Sequence, residues 1–269
     1  MGSGSDVALE AADMVLLDSF AAIVEAVRYG RIVYDNLKKT ICYLLPAGSF
    51  SEFWPVITNV VFGLPQVLSS FLMIIICCFT DCAAATAIAY EKPEADVLMR
   101  PPRNAKKDRL VDWKLVLHAY GYIGMIETVC SFAMSYWYAQ RQGLTFSSLW
   151  FAFNNVTPNG LSTDEVTAIL NTASSIYFVN LVVMQWFNLF AVRTRRLSVL
   201  NHRFNWYLPP AIIFALLVAI LFFVLGTSTV PVANWFLPMG FGTGVLLLDE
   251  GRKWLVRRYP RSLIAKMAW

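Results

Sequence analysis

Apolar positions along this 269-residue chain gather into long blocks separated by short polar stretches. Six blocks, at about 42–62, 67–90, 113–138, 174–192, 206–226 and 232–248, match the length of a helix that crosses a hydrocarbon core of ~30 Å. Gly63, Leu64 and Pro65 supply an outer turn between the first two. Ahead of them, residues 11–17 read as a short strand, and Ser19 reads as the N-cap of a helix. Apolar Ile23, Val24, Val27, Ile32, Val33 and Leu37 continue at helical spacing, which predicts a stalk running from the cytosol into the first span. The pattern divides the chain into a cytoplasmic preface, 1–39, and a six-helix transmembrane domain, 40–269.

Composition agrees with this pattern. Hydrophobic residues make up 57% of the chain and charged residues 15%, with a mean hydropathy of +0.54. Soluble domains carry about 25% charge, so the chain reads as an all-α integral membrane protein. Lysine and arginine positions orient it. With loops assigned alternately, the inner side holds four in the preface, seven around 91–114, four after the fourth span and six in the tail, while the outer side holds Arg141 alone. The positive-inside rule then predicts a multi-pass protein with both termini cytoplasmic. No apolar signal core occupies the first forty residues. Cys42, Cys77, Cys78, Cys82 and Cys130 all lie in apolar segments and give no disulfide framework. No basic face interleaved with aromatics is present, so nucleic acid is not an expected partner. Asn155, Val156 and Thr157 form a short glycosylation sequon on the predicted outer side.

The candidate chemistry lies in the first two spans. Glu52 and Asp81 are acids within apolar runs, where an ionised carboxylate costs at least ~2.5–3.5 kcal/mol. A cation-handling role explains their presence; protonated acids in helix–helix hydrogen bonds would also explain it. Pro46 and Gly48 stand just before Glu52, and freed carbonyls in a loosened helix beside a carboxylate make a cation site. Pro46 is alternatively a plain kink. Ser49 and Thr80 flank the acids. Cys77 and Asp81, four apart, share a helix face, which allows either a thiolate site or simple packing by small apolar side chains. In the third span Glu127 is either a ligand or a group aimed at a neighbouring helix. In the fourth, Gln185 and Asn188 share one face. The candidate cation ligands are therefore Glu52, Asp81, Ser49, Thr80, Asn188 and Gln185, with no dedicated metal centre.

Several stretches, taken in order, resemble the C-terminal third of a P-type cation-transporting ATPase of the sodium/potassium-pump group. Gly4-Ser5-Asp6-Val7 with Ala11-Ala12-Asp13-Met14 resembles the end of that family's phosphorylation domain. Gly30-Arg31 and Asp35-Asn36-Leu37-Lys38-Lys39 resemble its stalk. Ala89-Tyr90-Glu91 with Arg100-Pro101-Pro102-Arg103-Asn104 is similar to the loop after its sixth helix, and Ala119-Tyr120-Gly121 with Ile123-Gly124-Met125-Ile126 to its seventh. Gln185-Trp186 with Arg193-Thr194-Arg195-Arg196 resembles the eighth, and Asp249-Glu250 with Arg252-Lys253 the exit of the tenth. The resemblance implies that the six spans are the pump's fifth to tenth helices and that the preface is a remnant of an α/β phosphorylation domain.

By the resemblance, Glu52 falls on the acidic ligand of the fifth helix and Asp81 on the second aspartate of the sixth. Cys77 stands where that helix has its first aspartate, and Asn188 where the eighth has an acid. Fewer fixed charges leave the cation open, with a monovalent ion expected. The resemblance also implies alternating access, with Asn36, Lys38 and Lys39 as the coupling stalk, in a plasma-membrane pump. The sequence holds no Asp-Lys-Thr-Gly-Thr, Thr-Gly-Glu-Ser or Gly-Asp-Gly-x-Asn-Asp motif, so ATP and Mg would act in missing N-terminal pump domains, and this chain alone is not expected to hydrolyse ATP. No Ser-Tyr-Gly-Gln-Gln-Trp segment is present for a β subunit. The alternative expectation is a pump remnant acting as a membrane scaffold, regulator or passive pore.

Overall fold

The computed structural model describes residues 5–13, 15, 21–94, 97–99, 101–102, 104, 108–153, 160–225 and 230–269. Among these the chain forms helices and turns, with no strand. Helix α1 (Asp6–Glu10) opens it. Residues 11–13 and 15, expected in a strand, form a turn and irregular backbone; Met14, Leu16, Leu17 and the expected cap Ser19 lie outside the described residues, as does the sequon.

Helix α2 (Ala21–Leu45) runs directly into a π-helical turn, Pro46–Ser51, and then into α3 (Glu52–Phe62). Pro46 has no N–H for the carbonyl one turn back, and the helix widens here rather than ending. Gly63 closes α3 with a left-handed φ of 61°, the conformation a glycine adopts without strain. After the turn, the Ser69 side chain accepts from the Leu72 N–H and caps α4 (Ser70–Ile75). A second π-helical turn, Ile76–Thr80, leads into α5 (Asp81–Ala89). Helix α6 (Trp113–Val116) passes through a third such turn, Leu117–Gly124, into α7 (Met125–Arg141).

The short α8 (Phe146–Leu149) precedes α9 (Thr163–Val192), which begins well ahead of the apolar run at 174. Ser162 and Glu165 explain the early start. The Ser162 N–H donates to Glu165 Oε2 at 2.8 Å and the Glu165 N–H to Ser162 Oγ at 3.3 Å, a reciprocal capping box. Helices α10 (Leu208–Leu225), α11 (Ala233–Arg258) and α12 (Leu263–Met267) complete the order.

Among the described residues, three helical stretches, Ser70–Ala89, Trp113–Arg141 and Thr163–Val192, are long and apolar enough to cross a membrane. Leu208–Phe222 is a shorter apolar helix. Polar Ser49, Ser51, Glu52 and Asn59 dilute the first apolar run, and charge from Asp249 onward fills the second half of α11. The protein is thus an all-α membrane region. Its centre is α9, where every residue from Ser175 to Gln185 is buried. A helix covered on all sides is an interior helix, and α7, α11 and the Pro46–Ser51 turn pack around it.

Candidate cation site

The first two π-helical turns meet in front of α9. A Cβ on Gly48 would stand 3.6 Å from Cys77 Sγ and 3.8 Å from Asp81 Oδ2. The packing of these two turns brings the two acids to one place. The Cys77 thiol donates to the Glu52 carboxylate, 3.4 Å from Oε1 and 3.5 Å from Oε2, and is 3.8 Å from the Gly48 carbonyl oxygen. Asp81 is 2% exposed. Its Oδ1 accepts from the Tyr43 hydroxyl at 3.4 Å, while its Oδ2 has no hydrogen-bond partner.

A cavity of about 10 Å³ borders Asp81, lined by Tyr43, Thr80, Gln185 and Trp186 among others. That is room for about one water-sized occupant. The Gln185 amide donates to the Tyr43 carbonyl oxygen at 3.5 Å and accepts from Asn188 at 3.0 Å, leaving Asn188 Oδ1 unpartnered. Thr80 lines the cavity while its hydroxyl donates back to the Ile76 carbonyl at 2.9 Å. Ser49 is exposed. The inward serine of the same turn is Ser51, whose hydroxyl donates to the Pro46 carbonyl at 3.0 Å and lies 3.1 Å from Thr128 Oγ1.

Three contributors, Tyr43, Tyr177 and Ser51, carried little sequence signal. Pro55 within α3 cannot donate to the Ser51 carbonyl, and the Tyr177 hydroxyl donates to it instead at 2.8 Å. Tyr43 and Tyr177 sit in runs that read as apolar packing. Ser51 looks like an ordinary helical serine. Glu127, left open by the sequence, is fully buried, and both carboxylate oxygens lack hydrogen-bond partners. The cysteines do not converge: Cys77 turns inward while Cys78 and Cys82 are exposed.

The stalk residues tie α2 to the loops beyond α5. The Asn36 amide donates to the carbonyl oxygens of Ala89 and Glu91 at 3.0 and 2.9 Å. Lys38 pairs with Asp112, and Lys39 with Glu94 at 2.8 Å, the latter pair buried. Glu91 is itself a hub, 3.1 Å from Arg193 Nη2, 3.2 Å from His202 Nε2 and 3.0 Å from Asn205 Nδ2. Burial opposes its ionised form, but hydrogen bonds from His202, Arg193 and Asn205 and the Arg193 charge outweigh that and hold its carboxyl at about 2. On α11, buried Lys253 pairs with Asp249 at 2.7 Å and donates to the Ala191 carbonyl at 2.7 Å.

Residues 65–255 match the family model described as "Cation transporting ATPase, C-terminus". The chain is 34% identical over 284 residues to the sodium/potassium-transporting ATPase subunit alpha of Hydra vulgaris, covering 98% of this chain and 27% of that protein. It is 33% identical over 287 residues to the alpha-2 subunit of Rattus norvegicus, covering 98% and 28%, and 32% identical over 278 residues to the Drosophila melanogaster alpha subunit, covering 96% and 27%. The chain thus spans a little over a quarter of the length of these relatives. It belongs to the C-terminal membrane region of the P-type cation-transporting ATPases, in the sodium/potassium group.

Proposed function

We propose that this chain is the membrane transport portion of an ATP-driven P-type pump for a monovalent cation, with Glu52 and Asp81 as its acidic ligands. Thr80, Gln185 and Asn188 supply further oxygens, and Ser49, being exposed, is not carried into the set. One observation carries the reading. Asp81 Oδ2 is buried without a hydrogen-bond partner, and Asp81 lines the cavity together with Thr80 and Gln185. A cation supplies the charge that this carboxylate lacks, where the unpartnered Trp186 N–H on the same cavity offers only a neutral donor. The cavity there admits an ion stripped of most of its water.

Six spans with both termini cytoplasmic, in the plasma membrane, complete the proposal, with residues 1–39 as the end of a phosphorylation domain and its stalk. ATP and Mg act in pump segments outside this sequence. Their movements reach the site through Asn36, Lys38 and Lys39, which hold α2 to the ends of α5 and α6. Because α2 continues through the Pro46–Ser51 turn, tilting the stalk displaces Gly48 against Cys77 and Asp81 and changes the ligand field. The test is ATPase activity of the full-length gene product, titrated separately with sodium, potassium, calcium and protons. Activation by sodium or potassium is expected; activity indifferent to all four rejects the reading.

A further inference from the structure

We propose that Glu127 and Asn180 form a second cation position in the seam between α7 and α9, apart from Glu52 and Asp81, that takes a dehydrated alkali-metal ion. Glu127 is 0% exposed, and neither carboxylate oxygen meets a donor. The buried bases are engaged elsewhere: Lys38 with Asp112, Lys39 with Glu94, Arg193 with Glu91 and Lys253 with Asp249. The charged neighbour of Glu127 is another acid, Asp81, and a carboxylate in a membrane interior with no base beside it needs a counter-ion or a proton.

Asn180 supplies the second, independent observation. Also 0% exposed, it turns its amide nitrogen to Ser131 Oγ at 2.6 Å and Met184 Sδ at 3.3 Å, which leaves Oδ1 as an unpartnered acceptor. Ser131 lies four residues after Glu127 and shares its face of α7, so the amide is fixed one turn from the carboxylate. The three unsatisfied oxygens are all acceptors. A proton bound to one of them and donated to a second leaves the third unsatisfied, whereas a cation serves all three. One formal negative charge with neutral amide oxygen fits a monovalent hard ion. The position rests on the pump reading only for the route by which the ion arrives.

The test uses the 269-residue chain in lipid nanodiscs, with sodium or rubidium as the probe and N-methylglucamine as the control. Equilibrium binding of radioactive sodium or rubidium should fall by one ion per chain in Glu127→Gln. The same ion should be retained in the Glu52→Gln, Asp81→Asn double variant, and Glu127→Asp should keep it with weaker affinity. In wild-type chain, infrared difference spectra should show a carboxylate band that shifts with sodium and is absent from Glu127→Gln. Unchanged stoichiometry in Glu127→Gln overturns the second position, even where the double variant loses ions and so upholds the first. A protonated-carboxyl band that neither cation moves, and that Glu127→Gln removes, also overturns it. If Glu127→Gln does not fold, a sodium-sensitive carboxylate band that persists in the Glu52→Gln, Asp81→Asn double variant supports the position, and its absence there overturns it.

Discussion

The Tyr177 hydroxyl donates to the Ser51 carbonyl oxygen, 2.8 Å away, in place of the backbone N–H that Pro55 lacks. A side chain of the central helix thereby satisfies a backbone group that a proline left open beside the candidate ligands. Tyr177→Phe removes the donor and should cost about 1 kcal/mol, read as a lower thermal midpoint in lipid nanodiscs. Pro55→Ala restores the backbone donor, so Tyr177→Phe made in that background should cost less than half as much. Equal costs in both backgrounds would refute the compensation.

The Glu91 hub gives a dependence on pH. Its carboxyl, held at about 2 in the folded protein, lies below the ~4.3 of a free glutamate. A depressed carboxyl contributes stability that is complete above the unfolded value and lost as pH falls towards the folded one. Glu91→Gln should therefore be less stable than the wild type by on the order of 3 kcal/mol at neutral pH, since Arg193 is left buried without its anion. The gap in thermal midpoint should narrow between about pH 5 and pH 2. A gap independent of pH would show that Glu91 is not ionised in the fold.

Asn36 tests coupling separately from binding. Its amide holds α2 to the carbonyl oxygens of Ala89 and Glu91 and touches no candidate ligand. In the full-length pump, Asn36→Ala should lower the maximal ATPase rate threefold or more while leaving the apparent cation affinity within twofold. A shifted affinity with an unchanged rate would place Asn36 at the site rather than in the linkage.

The apolar runs made the membrane character legible, because burying that much apolar surface leaves few alternatives for a chain with so little charge. Glu52 and Asp81 were legible as acids in oil. Their convergence depends on how the two π-helical turns pack, with Gly48 facing Cys77 and Asp81 at ordinary contact distance, and a sequence shows the residues without the packing. The choice between Ser49 and Ser51 was not legible, since the wide turn at Pro46–Ser51 departs from the 3.6-residue period and resets which serine faces inward. The Ser162–Glu165 capping box was present in the sequence as a Ser-x-x-Glu pattern, but the polar stretch around it read as loop. Tyr43 meets Asp81 across 38 residues of chain, a contact that only packing fixes.

The central claim is that Glu52 and Asp81 hold the transported cation. The most direct measurement is the cation-activation curve of ATPase activity for Glu52→Gln and Asp81→Asn in the full-length pump. Each substitution should raise the half-activating concentration of the transported cation tenfold or more, about 1.4 kcal/mol. Curves that superimpose on the wild type for both variants would contradict the site.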